Sequence, residues 1–129
     1  MKKVSHGEVK EMKTFLNEKR LFPRIEAKLP FRYRVIGQKH VFAARIKDIS
    51  ASGVGFVAED FIAPSTDLRL EIGIPVKLIY PVARVVWSHA IAHSDRYRVG
   101  IEFSRINYRE RCNLADYIDE YLFNILKKG

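Results

Sequence analysis

The chain has 129 residues, 47% of them hydrophobic and 29% charged, with 23 Lys+Arg against 15 Asp+Glu for a net charge of +8. Those figures fit one soluble globular domain with a real core; they exclude a disordered chain and leave little room for a second domain. No apolar run approaches the ~18 residues needed to cross a bilayer, and the surplus of positive charge asks for an anionic partner: nucleic acid, nucleotide, phospholipid head group or acidic protein face.

Met1-Lys2-Lys3 is followed by no apolar stretch, so no signal peptide is expected and the expected compartment is the cytoplasm. Ser5 to about Arg20 reads as a helix: Ser5 with Glu8 has the form of a capping box, and Val9, Met12, Phe15 and Leu16 recur at helical spacing. Pro23 ends it, because proline disfavours the helical region for the residue before it. From Lys28 the period changes to two. Leu29, Phe31, Tyr33 and Val35 alternate with Pro30, Arg32 and Arg34, as in a half-buried strand. Gly37-Gln38 marks a turn, Phe42, Ala44 and Ile46 a second strand running to Ile49, and Asp48–Gly53 a break or bulge. Val54 and Phe56 form a short third strand, Ala63-Pro64-Ser65 a loop, Leu68, Leu70 and Ile72 a fourth strand, and Gly73–Pro75 a turn.

Val76–Trp87 is strand-like with Pro81 inside it, which predicts a bulge, an edge or a split into two pieces. After a turn at Ser94-Asp95, Tyr97, Val99, Ile101 and Phe103 alternate as the last strand. Asn107, with Glu110 three residues on, caps a second helix. Its stripe of Leu114, Ile118, Tyr121, Leu122 and Ile125 packs on the barrel or on a second copy. The expected fold is mainly β: a small six-stranded antiparallel β-barrel with an N-terminal helix and arm and a C-terminal helix, since closing the sheet removes its exposed edges. Residues 1–19 form the helical extension and 20–129 the barrel domain with its basic arm and last helix.

The chemistry narrows quickly. The single cysteine, Cys112, builds no disulfide framework and reads as a packed or half-exposed thiol. No Ser/His/Asp set, phosphate-cradling loop or paired-carboxylate motif stands out, so no enzyme is expected. His89 and His93 lie at a strand end and a loop without further ligands, so no metal is expected either. Trp87, Phe31 and Phe56 read as core or barrel-wall aromatics. Two short motifs remain. Arg20-Leu21-Phe22-Pro23-Arg24 sets two guanidiniums four residues apart, and Asp48-Ile49-Ser50-Ala51-Ser52-Gly53 sets a carboxylate, a hydroxyl and a glycine where a strand turns. Each is ordinary alone: Arg105 and Arg109 repeat the first spacing, and the second can be a common turn whose glycine takes a positive φ.

Order and placement raise the signal. The basic pair precedes the first strand and the acidic element closes the second, so neighbouring strands would bring both to one place. Together they suit a flat anionic ligand with hydrogen-bonding edges, such as a guanine nucleotide. Arginine forks onto O6/N7 or clamps a phosphate, aspartate accepts from N–H groups on another edge, and glycine lets backbone come close.

This combination resembles the PilZ domain family, bacterial receptor modules for cyclic di-GMP. Arg20 and Arg24 match its Arg-x-x-x-Arg arm, and Asp48, Ser50 and Gly53 its Asp-x-Ser-x-x-Gly element. The similarity runs from about Arg20 to the C-terminus and includes Gly100-Ile101-Glu102-Phe103, similar to a Gly-x-x-Phe segment of the family's last strand. The resemblance implies that Arg20 and Arg24 grip guanines and phosphates as the arm folds over the nucleotide. Asp48 and Ser50 would bond a guanine edge, and Gly53 would hold the turn and clear room. Lys19 stands where the family's side chain influences whether one nucleotide or a stacked pair is held. The resemblance also implies no catalysis, no cofactor beyond the ligand, and arm closure that signals to an unidentified downstream protein. A monomer, or a weak homodimer through the terminal helices, is expected. Two other readings stand beside it. A small basic barrel binding single-stranded nucleic acid accounts for the charge and for Arg32-Tyr33-Arg34, but not for Asp48, Ser50 and Gly53. A nucleotide-independent protein-interaction module is the other.

Overall fold

The computed structural model of the chain describes residues 22–75 and 77–128. The expected first helix, and with it Lys19 and Arg20, lies outside the described residues. Among the described residues eight strands precede one helix: β1 (Ile25–Glu26), β2 (Pro30–Val35), β3 (Phe42–Ser50), β4 (Gly53–Ala58), β5 (Asp67–Ile74), β6 (Lys77–Ile79), β7 (Val82–Ala90), β8 (Tyr97–Arg105) and α1 (Tyr108–Lys128). All strand pairs are antiparallel. Six strands close a barrel in the order β3-β2-β5-β7-β8-β4, and β4 returns to β3.

The two short strands are pieces of split ones. β1 pairs with β3 at Asp48 and Ile49, β2 pairs with β3 at Phe42–Arg45, and the Ile46 N–H donates to the Leu29 carbonyl between them. Residues 25–35 therefore run along one edge of β3. β6 and β7 share β5 in the same way, and the break between them falls at Tyr80-Pro81, where proline has no N–H to give the ladder. Of the outcomes allowed for Pro81, the split occurs, with a bulge against β8 just after it, between Val82 and Ala83. The fifth strand runs on through Gly73 and Ile74, which pair with Leu78 and Lys77. The turn expected from Gly73 therefore starts later, at Pro75.

Alternation fills the interior. Phe31, Tyr33, Ile46, Ile49, Val54, Phe56, Leu68, Leu70, Ile72, Val85, Val99 and Ile101 all point inward and are buried. Phe56 sits at the centre with Phe31 edge-on at 4.8 Å and Tyr33 at 5.1 Å. Burial raises the Tyr33 phenol from 10.0 to about 12, helped by the negative charges of Asp60 and Glu59.

α1 begins as its sequence requires. The Asn107 carboxamide oxygen accepts the Glu110 N–H at 2.8 Å, an N-cap bond. Glu110 does not complete a capping box; its carboxylate accepts the Tyr80 N–H at 2.9 Å and so ties the helix to the β6–β7 break. Leu114 and Ile118 are buried against the barrel, and the Tyr121 hydroxyl donates to the Glu26 carbonyl at 2.8 Å. The apolar stripe does not stay covered, for Ile125 is exposed. No described helix is long and apolar enough to cross a membrane.

Candidate functional site

β3 leads into β4 through the two-residue turn Ala51-Ser52, with Ser50 opposite Gly53. Neither turn residue has a positive φ, so the primed turns usual in such hairpins are not used here. A serine takes up the slack. The Ser50 hydroxyl accepts the Ser52 N–H at 3.1 Å and lies 3.0 Å from the Ser52 hydroxyl, and the Ser52 carbonyl accepts the Phe103 N–H from β8. Ser50 is only 1% exposed, so in this state its hydroxyl shapes the turn rather than facing outward. Gly53 has no positive φ either. It is required by close approach: a Cβ there would run into the Ile101 carbonyl of β8.

Two residues before Ser50, the strand register builds a flat wall. Glu26 of β1 lies opposite Asp48 of β3, Asp48 opposite Gly55 of β4, Gly55 opposite Gly100 of β8, and Gly100 opposite Trp87 of β7. Directly opposed residues share a face, so this row crosses five strands on the outside of the barrel. Its third and fourth positions are glycines. The Asp48 carboxylate leans over one of them, since a Cβ on Gly55 would come 2.5 Å from Oδ1. The Trp87 indole lies over the other, with a Cβ on Gly100 coming 2.5 Å from Nε1. The carboxylate and the indole thus each lie over one of two adjoining glycines, which add no side chains of their own.

Charge gathers at the acidic end. Arg24, just ahead of β1, donates from Nη1 to Asp48 Oδ1 at 2.5 Å, and Arg98 of β8 donates from Nη2 to Oδ2 at 3.2 Å. The acid is 16% exposed and the two arginine side chains 32% and 41%, so these are accessible pairs worth about 0–1 kcal/mol each and exchangeable for a ligand. The Arg98 Nε is buried and finds no partner among the described residues. At the far end the His89 ring stacks on Trp87, centroids 5.1 Å apart and planes 20° apart.

The fold therefore brings Arg24 to Asp48, with Ser50 and Gly53 forming the adjoining turn. Arg98, Gly55 and the outward setting of Trp87 were not anticipated. Arg98 carries no motif, and only the register puts it across β4 from Asp48. Trp87 gave a weak cue, as the last large aromatic of a strand-like run, but the β7 bulge between Val85 and Trp87 decides that it faces out. Phe31 and Phe56 are core residues, as expected.

A chain of this architecture has solved counterparts. The Bacillus subtilis inhibitor of motility MotI/DgrA superposes with a TM-score of 0.71 at 23% identity, covering 81% of this chain and 52% of that one. The Klebsiella pneumoniae MrkH–c-di-GMP complex gives 0.73 at 15% identity, covering 85% and 55%. The PilZ domain of Escherichia coli YcgR with c-di-GMP gives 0.65 at 15% identity, covering 85% and 95%. The chain spans about half the length of MotI/DgrA and of MrkH. No curated protein sequence matches it. The family model of the PilZ domain matches residues 18–120, most of the chain. With that match and the closed barrel in agreement, the chain belongs to the PilZ domain family.

Proposed function

We propose that the chain is a receptor for cyclic di-GMP, with a guanine seated on the wall between Asp48 and Trp87. The observation that carries this reading is the row itself: a carboxylate held by two arginines, a glycine floor, and an indole opposite. A guanine offers N1–H and N2–H to a carboxylate, O6 and N7 to a guanidinium, and a flat face to an aromatic ring or guanidinium plane. Solved relatives of the same fold are named as c-di-GMP complexes, which supports the choice of ligand.

In the mechanism we infer, Asp48 exchanges Arg24 for the guanine's N–H groups. Arg24, released, turns to O6/N7 or to a phosphate, and Arg20 joins it from the arm with Lys19 adding positive potential. Arg98 stays beside the acid and offers its unused donor. Ser50 acts mainly by holding the turn, and Gly53 keeps the hairpin seated on β8. The ligand shifts the arm only by its differential affinity for the closed form. That closure is the signal read by a downstream protein. No step of this scheme breaks a covalent bond, so the protein acts as a receptor rather than an enzyme.

Isothermal titration of cyclic di-GMP against wild type, Arg24→Ala and Asp48→Ala tests the site. Each variant is expected to bind about 10- to 100-fold more weakly. Equal affinity for all three proteins overturns the reading. So does salt-dependent binding of single-stranded oligonucleotides with no preference for the cyclic dinucleotide.

A further inference from the structure

The barrel closes where β3 meets β4, and the two strands pair over only part of their length. Ile46–Ser50 pairs with Gly53–Phe56, with a bulge between Ile46 and Asp48. Beyond the bulge, Phe42–Arg45 has β2 on one side and no strand on the other among the described residues. Val57 and Ala58 likewise pair with β8 and, on their other side, with no described strand. A half-open cleft of about 830 Å³ touches both free edges.

The cleft has two chemistries. From the inner side Tyr33 and Phe42, stacked at 5.0 Å, line it together with Ala44 and Ala58. From the outer side come the exposed cations Lys28, Arg45, Lys47 and Arg96, against the carboxylates Glu26 and Glu59. Arg24, Asp48, Arg98 and Trp87 are not among its lining. An edge strand presents unpaired N–H and C=O groups, and an extended chain laid along it gains main-chain hydrogen bonds. Such a chain points alternate side chains to opposite faces. Here one face meets apolar and aromatic groups, and the other a rim with a surplus of positive charge.

We propose that this seam binds an extended acidic peptide of a partner protein, added as a strand along the free edge of β3 at Phe42–Arg45. The peptide alternates: apolar residues point inward to Tyr33, Phe42 and Ala58, and Glu or Asp residues point outward to Arg45, Lys47 and Arg96. The site shares only Glu26 with the row of the nucleotide wall and takes its occupant with or without nucleotide.

The test uses the full chain and a fluorescein-labelled peptide of about nine residues, alternating Val and Glu. Two controls accompany it: one with the same composition in two blocks, and one N-methylated at alternate amides on a single edge. The alternating peptide is expected to bind about tenfold or more tighter than either control. It should shift the backbone amide resonances of Ala43–Arg45. Arg45→Glu with Lys47→Glu, two exposed changes that leave the core untouched, should weaken it about tenfold and leave cyclic di-GMP affinity unchanged. Equal binding of all three peptides, or amide shifts confined to another face, overturns the proposal. An oligothymidine that shifts the Ala43–Arg45 amides while the alternating peptide does not also overturns it, and makes the cleft a nucleic-acid site.

Discussion

β3 changes character at its bulge. From Asp48 to Ser50 it is flanked by β1 and β4, its polar side chains have fixed partners, and it leads into a tight turn. From Phe42 to Arg45 it has β2 alone among the described residues, and its exposed side chains line a cleft. Closed pairing makes a wall on which a rigid ligand can be read by a few atoms in set positions. An open edge offers main chain instead, which recognises another chain by its extended shape. One strand thus supplies two kinds of surface, and the bulge keeps their registers independent.

The largest expected effect comes from the interior that both halves share. Phe56→Ala deletes a fully buried ring beside Phe31 and Tyr33 and should cost about 3–5 kcal/mol in urea unfolding. Nucleotide and peptide binding should fall together; loss of only one would show that the halves do not share a core. Next is the separation itself. Asp48→Ala should weaken cyclic di-GMP by about 1–3 kcal/mol in titration calorimetry while leaving the peptide affinity unchanged. Arg24→Lys keeps the charge but loses the fork, and should weaken the nucleotide about tenfold.

A smaller effect is expected from the floor. Gly100→Ala pushes a methyl against the indole of the single tryptophan, so it should shift the Trp87 emission and cost about 1–3 kcal/mol through overpacking. An unchanged spectrum would remove Trp87 from its place over the glycine. The smallest effect is a matter of pH. The Tyr33 phenol is raised from 10.0 to about 12 in the folded chain, so folding retains its proton. The stability this gives is complete below the unfolded value near 10 and is lost as pH climbs towards 12. Melting curves between those limits should fall more steeply for wild type than for Tyr33→Phe.

Period-two alternation placed most barrel strands to within a few residues, because they bury one face and expose the other; β4 is buried on both faces. Pro81 marked the break between β6 and β7 through its missing N–H, and Asn107 the start of α1 through its side-chain acceptor. The pairing of Arg24 with Asp48 was also legible, since a motif before one strand and a motif at the end of its neighbour must meet if the strands are adjacent. Gly53 was singled out for close approach to a ligand, and the close approach the structure shows is to β8. It is held by the nearness of the Ile101 carbonyl rather than by a left-handed backbone.

By itself, the amino-acid order determined the class of the protein: a small antiparallel barrel with a terminal helix, and a carboxylate within reach of an arginine. These follow from local rules of alternation, capping and spacing that act over a few residues. Only the tertiary structure decided what stands around that carboxylate. Arg98, Gly55, Gly100 and Trp87 come from three other strands, and their alignment with Asp48 depends on register and on two bulges. Alternation forbids a one-residue slip, which would turn those side chains to the opposite face, but it does not record which residues of neighbouring strands stand opposite one another.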